Sequence, residues 1–178
     1  MTRAVFLDRD GVLNEAIVRE GLPYPPSSVE DLVIVWDAFS SLTRLRSYGF
    51  RLIVVTNQPD IARGKTSRET VERINGYLLN KLPIDDIEVC PHDDRDGCDC
   101  RKPLPGMLLR AARRHGVELD ESFMIGDRWQ DIEAGRRAGC RTILIGGGYA
   151  EGIQSKPDIA VATLTEAANW ILSKSNQS

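Results

Sequence analysis

Apolar residues fall into two kinds of run along this chain. Residues 3 to 7 and 51 to 56 (Arg51-Leu-Ile-Val-Val-Thr56) are short stretches without polar alternation, the pattern of strands covered on both faces. Further strands are predicted at 86 to 90, 122 to 126 and 141 to 146, the last dissolving into Gly146-Gly147-Gly148. Elsewhere apolar positions recur every three or four residues, which predicts helices. The first spans 37 to 48, with Phe39, Leu42, Leu45 and Tyr48 on one face and Gly49 at its exit. The second, 67 to 81, is capped by Ser67 or Thr66 and carries Val71, Ile74, Leu78 and Leu82. A third runs from Pro105 to His115 with Met107, Leu108, Ala111 and Ala112 inward, stopped by Gly116. Helices at 129 to 138, closed by Gly139, and at about 165 to 173 complete the set, and the polar tail after Leu172 is expected to fray. Residues 14 to 36, with Pro23, Pro25 and Pro26, read as a loop leaning over the end of the first strand.

Strands alternating with helices of this length predict an α/β fold. We expect a single Rossmann-like, three-layer domain over residues 1–178, with a central, mainly parallel sheet wrapped on both faces. Ligands of such sheets bind beyond the carboxyl ends of the strands. The chain places its polar oddities there: Asp8 and Asp10 after the first strand, Thr56 and Asn57 after the second, a cysteine-rich loop after the third, and Asp127 after the fourth. An apolar strand that ends in paired acids points to a cationic partner there, with an acidic surface turn as the alternative; four such coincidences argue against that alternative.

Composition narrows the function. The 178 residues are 42% hydrophobic and 28% charged with a formal net charge of -3, and the arginines at 110, 113 and 114 do not extend into the basic stripe that duplex binding needs. Nucleic acid is therefore not an expected partner. No apolar stretch approaches a membrane span, and residues 1 to 15 carry acids where a signal peptide would carry its apolar core, so a cytoplasmic protein is expected, acting as a monomer on a small molecule. Three of four cysteines, Cys90, Cys98 and Cys100, fall within eleven positions beside His92; in a reducing compartment that crowding favours a metal over disulfides.

Asp8, Asp10 and Asp127 supply oxygen ligands suited to Mg²⁺, which takes few carboxylates and keeps places for water and phosphate. The arrangement suits phosphoryl transfer: Asp8 attacks phosphorus, Asp10 acts as acid and then base, and Lys102 neutralises the spreading charge. Asp10, two residues on, approaches the same site without binding the metal through its side chain. Thr56 and Asn57 offer a hydroxyl and an amide to phosphate oxygens. Seen singly, these three are a capping threonine, a turn asparagine and a solvated lysine.

Phe6-Leu-Asp-Arg-Asp-Gly-Val-Leu13, Val55-Thr-Asn-Gln58, Cys100-Arg-Lys-Pro103 and Ile125-Gly-Asp-Arg128 with Asp131 resemble the four motifs of the haloacid dehalogenase-type phosphatases. The match is to the small branch without a large cap, which includes heptose bisphosphate and histidinol phosphatases. The resemblance runs from about residue 3 to about residue 147. It implies Asp8 as nucleophile, Asp10 as general acid and base, and Mg²⁺ at Asp8, Asp127 and the Asp10 backbone carbonyl. It also implies Thr56 and Lys102 on the transferring phosphoryl group, and Arg101 and Arg128 as substrate contacts. Asp131, one helical turn beyond Asp127, would orient Lys102 or the metal shell.

Cys90, His92, Cys98 and Cys100 form the ligand mix of a tetrahedral structural Zn²⁺ site, although their spacing is tighter than the common finger pattern and a reduced, metal-free loop is the alternative. The loop, about 90–100, hands the chain directly to Arg101 and Lys102, so pinning it would hold two phosphate-facing cations in place. The quartet occurs in both substrate branches of the family it resembles. Cys140 reads as a core thiol and His115 as a helix C-terminal residue.

Substrate choice falls to the loop at about 14–36, where Arg19, Glu20 and Tyr24 are placed to read hydroxyls or a distal phosphate, and to Arg63, suited to a second anionic group. For each of the loop residues a solvated face is the alternative. The string Asn57-Gln58-x-x-Ile61-Ala-Arg-Gly64 resembles the heptose bisphosphate branch, where a serine and a glycine normally follow the glutamine; Pro59 and Asp60 stand there instead. The first expectation is therefore removal of the terminal phosphate of a heptose bisphosphate. Histidinol phosphate or another small phosphomonoester is the second, and a non-catalytic zinc-loop scaffold the third.

Overall fold

A computed structural model describes residues 2–146 and 155–175. Among them, eight strands and five helices follow in order: β1 (Arg3–Leu7), β2 (Ile17–Arg19), β3 (Leu22–Tyr24), α1 (Ala38–Ser47), β4 (Phe50–Asn57), α2 (Arg68–Lys81), β5 (Asp86–Cys90), α3 (Gly106–His115), β6 (Phe123–Gly126), α4 (Trp129–Ala138), β7 (Arg141–Ile145), β8 (Ile159–Val161) and α5 (Leu164–Ser175). Six strands pair in the order β5-β4-β1-β6-β7-β8, and every pairing in that sheet is parallel. The architecture is the expected single α/β domain.

Alternation on β1 builds two cores, because successive side chains of a strand point to opposite faces. Val5 and Leu7 join Leu52, Val54, Leu42, Leu45, Ile74, Leu78 and Ile171, which places α1, α2 and α5 on one side. Ala4 and Phe6 join Ile53, Val55, Met107, Leu108, Ala111, Met124 and Ala134, with α3 and α4 on the other. Cys90 and Cys100 belong to that second core, so the cysteine loop packs on the same face as α3. No helix among the described residues is long and apolar enough to cross a membrane.

Several boundaries and faces differ from expectation. The 14–36 segment contains the antiparallel pair β2–β3. Its turn puts Glu20 and Gly21 at positive φ (52° and 76°), a geometry that splices two short strands together within a proline-rich stretch. On α1 the buried positions are Ala38, Ser41, Leu42 and Leu45, while Phe39 and Tyr48 are exposed. The inward stripe starts one residue earlier than the aromatic residues suggest, and i, i+3, i+4, i+7 spacing from Ala38 leaves both of them outside it. β8 is a three-residue edge strand too short to carry periodicity, held by Asp158, whose carboxylate accepts from Thr142 N at 2.6 Å and from Thr142 Oγ1 at 3.0 Å. Helix α5 continues to Ser175 rather than fraying after Leu172. The predicted strand end at Gly147-Gly148 lies outside the described residues.

Candidate active site

The sheet order reverses at β1: the chain runs out through β4 and β5, then returns to β6 on the other side. The carboxyl ends of β1, β4 and β6 therefore meet at a switch point, where ligands of open α/β sheets bind. Asp8 follows β1, with its amide donating to the Ile125 carbonyl of β6 at 2.9 Å. A cavity of ≈ 570 Å³ opens there, lined among others by Asp8, Asp10, Lys102, Arg128 and Asp131.

Lys102 is the hub of the floor. Its Nζ donates to Asp8 Oδ1 and to the Val55 carbonyl, each at 2.8 Å, and lies 2.6 Å from Asp131 Oδ1. Burial works against its ammonium, but Asp131 and Asp8 outweigh that and hold Lys102 above its ordinary value. Burial raises Asp8 to about 6; Lys102 opposes the rise, and the negative charges of Asp131 and Asp10 add to it. Sharing its ammonium with Asp131, Lys102 does not offset the burial of Asp8.

Each floor residue is fixed by a local device. The side-chain amide of Asn57, at the end of β4, is closed on the Lys102 backbone: Oδ1 accepts from Lys102 N and Nδ2 donates to Lys102 O, both at 3.0 Å. Asn57 lines the cavity, but its amide is committed to positioning Lys102 rather than free for a phosphate oxygen. Asp131 Oδ2 accepts from the Arg128 amide at 3.1 Å and so caps α4 while its other oxygen meets Lys102. Gly126 makes this approach possible, because a Cβ there would fall on the Asp131 side chain.

Asp10 faces a different set of partners. Its carboxylate accepts from Arg9, Asn14 and Gln58. Gln58 Nε2 also donates to Thr56 Oγ1 at 2.9 Å. Thr56 is buried and is not among the cavity-lining residues. Carboxylate oxygens of Asp8, Asp127 and Asp131 lie within 4.8 Å of one another and all three residues are buried, a donor set that fits a hard divalent cation. Asp10 is outside that set, so any metal bond from it falls to its backbone, as the motif resemblance implies.

At the mouth the picture departs from the expected substrate contacts. Arg63 lines the cavity, but Asp93 accepts two bonds of 2.9 Å from it, and this hydrogen bonding holds Arg63 above and Asp93 below their ordinary values. Arg101 donates to Asp94 at 2.6 Å. Arg101 and Arg128 both line the cavity, and Arg128 has a further partner of its own. Arg19 does not reach it: on the exposed strand β2 its guanidinium sits 5.9 Å from the Tyr24 ring centroid, and Tyr24, not Arg19, lines the wall. Lys65, Asp60 and Gln58 line the cavity without having been assigned to substrate or catalysis from sequence. Lys65 carries no sequence signal beyond its place after Gly64, whereas Gln58 belongs to the Val55-Thr-Asn-Gln58 motif.

Ligand atoms of Cys90, His92, Cys98 and Cys100 also lie within 4.8 Å of one another. Cys90 Sγ is 3.8 Å from Cys98 Sγ and 2.9 Å from Cys100 Sγ, and His92 Nδ1 is 3.2 Å from Cys100 Sγ. All four cysteines are free thiols, and burial pushes Cys90 well above the usual thiol range. Two soft sulfurs converging on a third and an imidazole, without a disulfide, fit a tetrahedral zinc site. The Arg63–Asp93 and Arg101–Asp94 pairs tie this loop to the cavity mouth.

Fold and site define a haloacid dehalogenase-type hydrolase, and the HAD-hyrolase-like family model matches residues 99–167. The chain is 36% identical over 149 residues to D-glycero-β-D-manno-heptose-1,7-bisphosphate 7-phosphatase of Helicobacter pylori, covering 80% of this chain and 83% of the relative. It is 37% identical over 166 residues to D-glycero-D-manno-heptose-1,7-bisphosphate 7-phosphatase of Chlorobaculum tepidum, covering 84% and 81%. The crystal structure of the D,D-heptose 1,7-bisphosphate phosphatase of B. bronchiseptica, complexed with magnesium and phosphate, superposes with a TM-score of 0.84 at 30% identity, over 97% of this chain and 99% of that one. This chain belongs to the heptose bisphosphate phosphatase family of haloacid dehalogenase-like hydrolases.

Proposed function

We propose that this phosphatase removes the 7-phosphate of D-glycero-D-manno-heptose 1,7-bisphosphate through an aspartyl-phosphate on Asp8. The observation that carries the reading is the buried Asp8 at the cavity floor with Lys102 Nζ at 2.8 Å, together with relatives of that activity over most of the chain. In the first step an Asp8 oxygen bonds to phosphorus, the ester bond breaks, and Asp10 gives a proton to the departing sugar oxygen. In the second, Asp10 takes a proton from water, whose oxygen attacks phosphorus and releases phosphate and the Asp8 carboxylate. Lys102 stays charged and opposes negative charge on the phosphoryl oxygens throughout. Asp127 with Asp8 and the Asp10 carbonyl would hold Mg²⁺, which when bound supplies further neutralisation of that charge. Arg101 and Arg128, which line the cavity, would contact the substrate in this reading. Zinc at Cys90, His92, Cys98 and Cys100 would be structural, holding the loop that leads into Arg101 and Lys102.

Asp60 on the cavity wall, 3.5 Å from Arg63, favours one second reading: a substrate carrying an amino group, such as histidinol phosphate. A phosphate-release screen with Mg²⁺ over heptose bisphosphates, histidinol phosphate and common sugar phosphates separates the two. We expect the heptose bisphosphate to lead in kcat/KM by at least about tenfold. A tenfold preference for histidinol phosphate overturns the substrate, and equal background rates in wild type and Asp8→Asn overturn the enzyme.

A further inference from the structure

The largest fully buried side chain among the described residues is a cation, Arg9, with none of its surface exposed. It stands between the two catalytic aspartates in sequence, yet nothing in the mechanism above uses it. Burying a guanidinium is unfavourable unless its donors are met, so its partners report what it is for. Arg9 Nε lies 3.2 Å from Asp10 Oδ1 and Nη2 lies 3.0 Å from Asp10 Oδ2, the fork geometry that fixes both the position and the plane of a carboxylate. Nη1 donates at 2.9 Å to Oδ1 of Asn75, a buried amide on α2. The fork is thus anchored from behind, by a helix that supplies no residue to the cavity.

Two neutral amides complete the grip. Asn14 Nδ2 donates to Asp10 Oδ1 at 3.0 Å and Gln58 Nε2 to Oδ2 at 2.8 Å, so each oxygen takes one bond from the arginine and one from an amide. The turn that brings Asn14 back is made by Leu13 N and Asn14 N, which donate to the Arg9 carbonyl at 2.9 and 3.2 Å. Backbone and side chain of Arg9 therefore shape the same few ångströms. An acid/base group transfers protons efficiently only when held within hydrogen-bond reach of the reacting oxygen, and small displacements carry large rate penalties.

We propose that Arg9, anchored by Asn75, is a positioning residue for the acid/base Asp10, and that α2 contributes to catalysis through this contact. The proposal rests on the phosphatase reading above, with Asp10 as the proton donor to the leaving oxygen. It makes a claim that a merely structural arginine does not. Loss of the anchor impairs the step that needs a well-placed acid and spares the same step when the leaving group needs no proton.

The test compares pre-steady-state phosphorylation of the Mg²⁺-loaded protein by two substrates, D-glycero-D-manno-heptose 1,7-bisphosphate and p-nitrophenyl phosphate. The nitrophenolate departs without help from an acid; the sugar alkoxide does not. Asn75→Leu and Arg9→Lys are expected to slow the burst rate constant at saturating sugar phosphate by roughly ten- to a hundredfold, with little change in the concentration that half-saturates it, and to leave the nitrophenolate burst within about twofold. Arg9→Met is expected to lose more than Arg9→Lys. Because removal of a buried arginine risks unfolding, Asn75→Leu, which keeps Arg9, carries the decision, with its melting temperature as the check on folding. Equal slowing of both bursts, or none, in folded Asn75→Leu overturns the proposal while leaving the phosphatase reading intact. Unchanged turnover of the sugar phosphate in Asp10→Asn would instead overturn the reading beneath it.

Discussion

Asp131 holds Lys102 at 2.6 Å while capping its own helix, each carboxylate oxygen with a separate task. Both side chains are 2% exposed, so the pair is isolated from water and its loss is not screened. Asp131→Asn keeps the shape and removes the charge. The expected result is a fall in kcat of roughly ten- to a hundredfold with little change in KM. The melting temperature should fall as well, because Lys102 is left with Asp8 as its one carboxylate partner. Kinetics and thermal unfolding of the variant check both; unchanged kcat would mean that Asp8 alone suffices to hold Lys102.

Gly126→Ala should copy that defect from a distance. The added methyl would occupy the space of the Asp131 side chain, whose backbone is fixed in the first turn of α4. Overpacking of this kind costs about 1–3 kcal/mol. We expect a lowered denaturation midpoint together with activity reduced as in Asp131→Asn. Wild-type activity in a destabilised variant would show that Asp131 can move without disturbing Lys102.

The pH dependence follows from Asp8. Burial first, then Asp131 and Asp10, raise its carboxyl to about 6 against the pull of Lys102. With Asp8 as the proposed nucleophile, active when ionised, the raised value is expected to remove activity as pH falls through about 6. A nearby cation favours the ionised form and moves that limb lower. Profiles of kcat/KM at low and saturating Mg²⁺ should therefore show an acid limb that shifts down with magnesium; a limb indifferent to magnesium would separate Asp8 from the metal.

Zinc should be present at one ion per chain and should control the cavity mouth rather than the chemistry. Metal uptake must deprotonate thiols that burial has pushed up, notably Cys90, so binding releases protons and weakens in acid. Cys98→Ser is expected to lower zinc content and to raise KM several-fold through Arg101, which sits between Cys100 and Lys102 and pairs with Asp94 of the same loop. Far-ultraviolet circular dichroism should change little, since β1, β4 and β6 are paired without the loop. Loss of kcat with unchanged KM would place the loop closer to the reaction than the geometry does.

Much of the fold was legible because parallel strands covered on both faces carry unbroken apolar runs, as residues 4–7 of β1, 52–55 of β4 and 123–125 of β6 do. The candidate carboxylates Asp8, Asp10 and Asp127 were legible for a related reason: each follows such a strand, where a polar residue has no place in the core. The Cys/His cluster of Cys90, His92, Cys98 and Cys100 was legible because its residue types crowd within eleven positions. The hairpin β2–β3 and the edge strand β8 were not legible, since three residues carry no period and their pairing partners are set by tertiary packing. Arg19 looked available for substrate, and only the hairpin's geometry turns it onto Tyr24.

The sequence by itself determined the chemistry, because catalytic residue types at strand ends are a local pattern read one element at a time. Only the tertiary structure decided who holds whom. Asn57 closes on the Lys102 backbone across 45 residues, and Arg9 meets Asn75 across 66. Such contacts join elements that neighbour each other only once β4, α2 and the segment after β5 are packed, and no periodicity along the chain encodes a distance between them.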